Sequence, residues 1–201
     1  MGRREHNKAS KRARLEAAAL EEFRRHGYGG ASIESIAAAA GVARGTFYLY
    51  FADKRAIFRS LVDRLVDPLL AAADRARGAL AGCPDLGATA PIYARLAEEV
   101  GALVVHEPVA ARVVLAEARA AGPGGDLVRR RIARLEETAR GILADGAQRG
   151  LFRAHDPGAV ALAIVGAIER LAWAALSGDE RVAPAALPAE VVVLFRRGLA
   201  A

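Results

Sequence analysis

Cysteine occurs once in this 201-residue chain, at position 83, which rules out an internal disulfide and suits a reducing compartment. A lone thiol beside Pro84 reads as a neutral loop residue. Aromatic residues make up only 5% of the chain, and strand formers are scarce beside Ala, Leu, Arg and Glu. The four histidines (His6, His26, His106, His155) are scattered, without the spacing of a metal site. No glycine loop follows a strand to cradle a phosphate, and nothing resembles an activated nucleophile. The adjacent pairs Glu98-Glu99 and Glu136-Glu137 diverge by about 100° on a helix and read as solvated. No catalytic activity, no cofactor and no metal are therefore expected. The longest apolar run, Ala159 to Ile168, is too short to span a bilayer. The start, RREHNKASKRAR, carries charge where a signal peptide would be apolar. A soluble cytoplasmic protein without a membrane partner is the expectation.

What is abundant points to helices. Apolar residues reach 53% against 26% charged, a globular composition. Leu15, Ala18, Ala19 and Phe23 recur at helical spacing from Lys8 to His26, with Gly27 as a stop and the loop GYGGA after it. Ser32 can N-cap a short helix over Ile33 to Ala40, and Gly41 ends it. Arg44 to about Tyr50 can form another. Asp53 looks like the N-cap of a longer helix, which Asp67-Pro68 should kink or restart. Gly82 to Pro91 reads as a loop. Helices follow at about 92–106, 108–121, 125–149, 158–176 and 188–199, about nine in all, and no convincing strand.

Charge is distributed unevenly. Residues 1–59 hold twelve Lys or Arg against six Asp or Glu, while the other 142 residues hold seventeen of each. All three lysines, Lys8, Lys11 and Lys54, lie in the first part. A basic head on a neutral body is the footprint of a polyanion-binding end, although a solvated basic tail would carry the same charge.

Three short helices separated by glycine turns on that head suggest a helix-turn-helix. Ile33, Ile36, Ala37 and Ala40 make one packing face, and Val42 can plug the angle after Gly41. Phe47 and Phe51, four apart, should be core. Tyr48 and Tyr50 fall on other faces, with hydroxyls free for phosphates. Arg44, at the helix start, is placed to reach a base edge in the major groove. Gly45 leaves room for close approach. Lys54, opening the next helix, can hold a phosphate together with a backbone N–H.

The run SIESIAAAAGVARGTFYLYFADKRAIF resembles the DNA-binding motif of the TetR (tetracycline-repressor-like) family of bacterial regulators. The matching residues are Ser32, Ile36-Ala37, Ala40-Gly41-Val42, Gly45-Thr46-Phe47-Tyr48, Tyr50-Phe51 and Lys54. Ala52 and the acidic Asp53 are small departures. The resemblance implies an all-α fold: a three-helix DNA-binding head (1–54) joined to a helical effector-binding and dimerisation bundle (55–201). It also implies a homodimer that places two recognition helices on a palindromic operator. Ser32, Thr46, Tyr48, Tyr50 and Lys54 would then hold the DNA backbone, while Arg44 and Ala43 face bases.

The body carries no motif of comparable strength. AVALAIVGAIERLAWAAL is apolar nearly all round until Glu169-Arg170, and VVVLF (191–195) on all sides. Both suit helices that pack on their own core and on a second subunit. Candidate liners of an apolar effector cavity are Tyr93, Leu96, Val100, His106, Val114, Ala118, Leu135 and Trp173. Arg112, Glu117 and Glu169 could add a polar handle. The expected function is a ligand-responsive repressor with a small hydrophobic effector. Alternatives are an architectural DNA-binding protein without an effector, or a ligand-independent regulator.

Overall fold

A computed structural model of the chain describes residues 3–182 and 187–199. The described residues form nine α-helices and no strand: α1 (Arg3–Gly30), α2 (Ile33–Ala39), α3 (Arg44–Phe47), α4 (Lys54–Leu80), α5 (Ala90–His106), α6 (Pro108–Ala118), α7 (Pro123–Gln148), α8 (Pro157–Leu176) and α9 (Leu187–Gly198). The chain divides into two compact units, Met1–Arg64 with Val113–Val128, and Leu65–Arg112 with Arg129–Ala201. The first is larger than the head marked out in the sequence. It runs ten residues further and takes in a distant segment spanning the end of α6 and the start of α7.

In the first unit, Leu15, Ala19 and Phe23 of α1 are buried at the spacing that suggested a helix. The first helical stretch of α1 ends at Gly27, as expected. That glycine adopts φ 65° and ψ 175°, which kinks the chain, and helical structure resumes to Gly30. A left-handed φ is open to glycine at no steric cost, so the kink needs no other strain. Ser32 caps α2 through a reciprocal capping box with Ser35: each hydroxyl accepts from the other's backbone N–H, at 3.0 and 3.2 Å. Gly41, at φ +64°, turns the chain from α2 to α3. Asp53 accepts from the Ala56 N–H at 2.7 Å and so caps α4. Phe47 and Phe51 are both buried, with ring centroids 5.8 Å apart.

Pro68 does not restart α4, which continues through it to Leu80. Proline removes one helical hydrogen bond. The buried residues Leu65, Val66, Ala72 and Ala76 flank it on both sides and hold the helix by packing.

In the second unit α9 packs against both α5 and α8, and a 3-10 turn at Gly87–Thr89 lies in the expected loop and leads into α5. Asp156 caps α8 by accepting from Gly158 and Ala159, with Pro157 at the first helical position. By length and composition alone α8 is apolar enough to cross a bilayer, with a mean hydropathy of 1.8 over its most apolar stretch. Looking for an uninterrupted apolar run missed this, because Glu169-Arg170 ends the run inside the helix. Part of this apolarity has an internal use: Ala161, Ala172 and Ala174 are buried, and Ile164, Val165 and Ile168 line a cavity.

Gly146 of α7 gives Phe152 its place. A Cβ there would overlap the edge of the Phe152 ring. Gly146→Ala gains helix propensity but overpacks this contact, for an expected net loss of about 1–2 kcal/mol. Urea denaturation measures it; an unchanged or raised midpoint would mean that the ring moves aside freely.

Candidate nucleic-acid interface and effector cavity

The surface carrying the expected DNA contacts is built from α2, the glycine turn and α3. Ala43, Arg44, Gly45 and Tyr48 are exposed, while Ser32, Thr46 and Tyr50 are half-buried. The Ser32 hydroxyl already caps α2, so its first function is to fix the start of that helix. Arg44, at the first turn of α3, reaches back to the Glu34 carboxylate at 2.8 Å and donates to the Tyr48 hydroxyl at 3.4 Å. Its guanidinium lies 5.9 Å from the Tyr48 ring centroid. The Tyr48 hydroxyl first, and the Glu34 charge next, raise the Arg44 pKa, so it stays a cation. Both partners of the ion pair are mostly exposed, so it is a weak hold that a stronger anion can displace.

Sequence reasoning missed two residues on this surface. Glu34 is an acidic residue in the first turn of α2, and its spacing from Arg44 gives no helical signal. Leu49, lying between the two tyrosines, is 75% exposed. An apolar side chain held out on such a face is suited to a thymine methyl group. Its exposure follows from the phase that buries Phe47 and Phe51.

Lys54 has partners within the protein itself. The sequence reading places its ammonium on a phosphate. In the structure it donates to the carbonyls of Tyr28 at 2.6 Å, Ala31 at 2.7 Å and Gly29 at 3.3 Å, and lies 4.7 Å from the Tyr28 ring centroid. An ammonium has three N–H donors, and the unpaired carbonyls at the end of α1 occupy them. On the other side of that residue, the Tyr28 N–H donates to the Glu117 carboxylate at 3.2 Å. Glu117 is thus a fastener of the first unit, where a polar handle for a ligand was suggested. Tyr28 itself packs on Phe23 and Phe58, with centroids at 5.9 and 5.0 Å.

The second unit contains an apolar cavity of about 180 Å³. Of the expected liners it brings together Tyr93, Leu96, Val100 and Leu135, and it adds Phe152 and Phe195. His106 is exposed at the end of α5 and Trp173 is half-buried, both outside the lining. Val114 and Ala118 are buried in the first unit and therefore do not line this cavity. Their apolar character made them candidate liners, but it does not say which core each one enters. Burial pushes the Tyr93 hydroxyl pKa up to about 12, so it is neutral at physiological pH. A second cleft, of about 200 Å³, is lined partly by Arg77, Asp145 and Arg149. Its charges have partners within the protein: Arg77 pairs with Asp145 at 2.9 Å, and Arg149 donates to the carbonyls of Leu80 and Cys83 at 2.6 and 2.7 Å.

Residues 15–61 match the family model for bacterial regulatory proteins of the tetR family. An uncharacterized HTH-type transcriptional regulator, YvdT of Bacillus subtilis, is 40% identical over 68 residues, a match covering 34% of this chain and 34% of that protein. The solved structure of FadR from Bacillus subtilis in complex with stearoyl-CoA superposes with a TM-score of 0.71 at 23% identity, covering 93% of this chain and 98% of that one. NalD of Pseudomonas aeruginosa, the secondary repressor of the MexAB-OprM multidrug efflux pump, gives 0.76 at 21%, covering 97% and 98%. At these identities the two structures establish the shared fold.

Lys54→Ala leaves the α1 carbonyls without their cation. The expected result is a loss of roughly 2–3 kcal/mol of stability in urea denaturation, with the salt slope of DNA binding unchanged. A stable variant whose salt slope falls by about one would return Lys54 to a phosphate.

Proposed function

This chain belongs to the TetR family of bacterial regulatory proteins, and from that premise we propose that it is a cytoplasmic, homodimeric repressor that binds a palindromic operator and is released by a small hydrophobic effector. One observation carries the DNA-reading part. Arg44 projects from the first turn of α3 on an exposed face, held by surface contacts with Glu34 and Tyr48. On DNA, Arg44 exchanges Glu34 for a guanine edge, and Ala43 and Leu49 make apolar contacts with neighbouring bases. Thr46, Tyr48 and Tyr50 fix the phosphate backbone, Ser32 holds the α2 end of the same surface, and Gly45 allows close approach.

Dimerisation is supported by exposed apolar side chains on α8 and α9: Leu162 is 60% exposed, Leu194 68% and Val193 40%. A second copy of the chain covers these faces. The effector reading is supported by the cavity and by the likeness in fold to FadR, which was solved with stearoyl-CoA. The effector releases DNA by binding more tightly to a conformation in which the two recognition helices are wrongly spaced.

Selection of bound sequences from random DNA tests the DNA reading. One enriched palindrome is expected, and Arg44→Ala should remove the preference at one position of each half-site, at about 1–3 kcal/mol. Sequence-blind binding would favour an architectural protein instead. For the dimer, Leu162→Glu and Leu194→Glu should each sediment as a folded monomer and lose operator affinity. A dimer that persists in both variants would place the interface elsewhere.

A further inference from the structure

The described walls of the cavity come from α4, α5, α7, α8, α9, Phe152 and Leu199, and no charged side chain is among these described residues. Among the described lining residues, the only polar side-chain atom is the hydroxyl of Tyr93. The other residues are Leu, Ile, Val, Ala and Phe. An ionised group entering such a space leaves water and finds no counter-charge, which costs far more than any contact it gains. A carboxylic acid would have to enter protonated. At pH 7, with an ordinary carboxyl pKa near 4, that lowers its apparent affinity by at least 100-fold. Size sets a second limit. An apolar cavity of about 150 Å³ holds one benzene ring, and this one measures about 180 Å³.

We propose that the cavity selects an uncharged ligand of about one substituted ring, anchored by a single hydrogen bond to the Tyr93 hydroxyl, and discriminates against carboxylates. The proposal rests on the effector reading of the cavity given above and names the chemical class that the effector must have. Tyr93 acts as a specificity residue: the hydroxyl is a donor or an acceptor according to the ligand, and it orients one polar atom in an otherwise apolar space. It is also the only titratable side chain among the described lining residues. With its pKa at about 12 it stays neutral below pH 8 and adds no pH dependence of its own to binding.

Calorimetric titration of the full chain with three single-ring probes tests this: 4-propylphenol, propylbenzene and 4-propylbenzoate. The phenol is expected to bind with the same affinity at pH 5.5 and pH 7. The benzoate should bind at least 100-fold more weakly than the phenol at pH 7, and gain about tenfold for each unit by which the pH is lowered. Tyr93→Phe should weaken the phenol about tenfold and leave propylbenzene within twofold, which also shows that the variant's cavity is intact. Benzoate binding as tightly as the phenol at pH 7 overturns the proposal. So does an absence of phenol binding, or a phenol affinity unchanged in Tyr93→Phe. Operator release is a separate readout. Phenol binding that leaves the operator complex intact supports the ligand class and overturns the effector reading.

Discussion

Every α-helix ends in carbonyls that have no partner further along the same helix, and here long-range cations meet them. Lys54 meets the end of α1, Arg14 donates to Ala40 at the end of α2 at 2.5 Å, and Arg149 holds the end of α4 through Leu80 and Cys83. Arg153 does the same for α9, donating to Gly198 at 2.6 Å. A positive charge at a helix C-terminus is favoured by the aligned peptide dipoles as well as by the hydrogen bond, so these contacts add charge stabilisation to geometry. Each also fixes a helix end to a residue distant in sequence. The turn between α2 and α3 depends on this arrangement, because the Arg14 nitrogen lies only 2.9 Å from where a Cβ on Gly41 would be.

This use of cations changes what the charge of the head means. The excess over residues 1–59 suggested a polyanion-binding surface, yet Arg14 and Lys54 are directed at carbonyls of their own unit. Arg44 remains on the surface, paired loosely with Glu34. The excess of positive charge over residues 1–59 therefore overstates the number of cations directed outward. Glu117 is the anionic counterpart: it receives the Tyr28 N–H while Lys54 holds the Tyr28 carbonyl, so the kinked end of α1 is gripped by opposite charges on its two polar groups.

The helix-turn-helix was readable because its signals are local. Ser32 as a cap, Gly41 at positive φ and the four-residue step from Phe47 to Phe51 each act within a turn or two, and all three stand in the structure. The internal contacts of Lys54 were not legible for the opposite reason: its partners lie 23 to 26 residues away, beyond the reach of spacing rules. Glu117 acts across 89 residues. The cavity was half legible. Tyr93, Leu96, Val100 and Leu135 were rightly named as liners, but apolar character could not separate them from Val114 and Ala118, which face a different core. Pro68 misled because a local penalty was outweighed by packing on both sides.

α9 serves two surfaces at once. Val191, Val192 and Phe195 wall the cavity, whereas Val193 and Leu194, on the same two turns, are left on the outside. A lineage under selection for a new ligand is therefore constrained in where it can vary. Changes in α9 disturb whatever covers the outer face, while α5 and α7 offer positions such as Leu96 and Leu135 that carry no such second duty. Divergence among descendants of this chain should accumulate on those walls first and leave the C-terminal helix comparatively still.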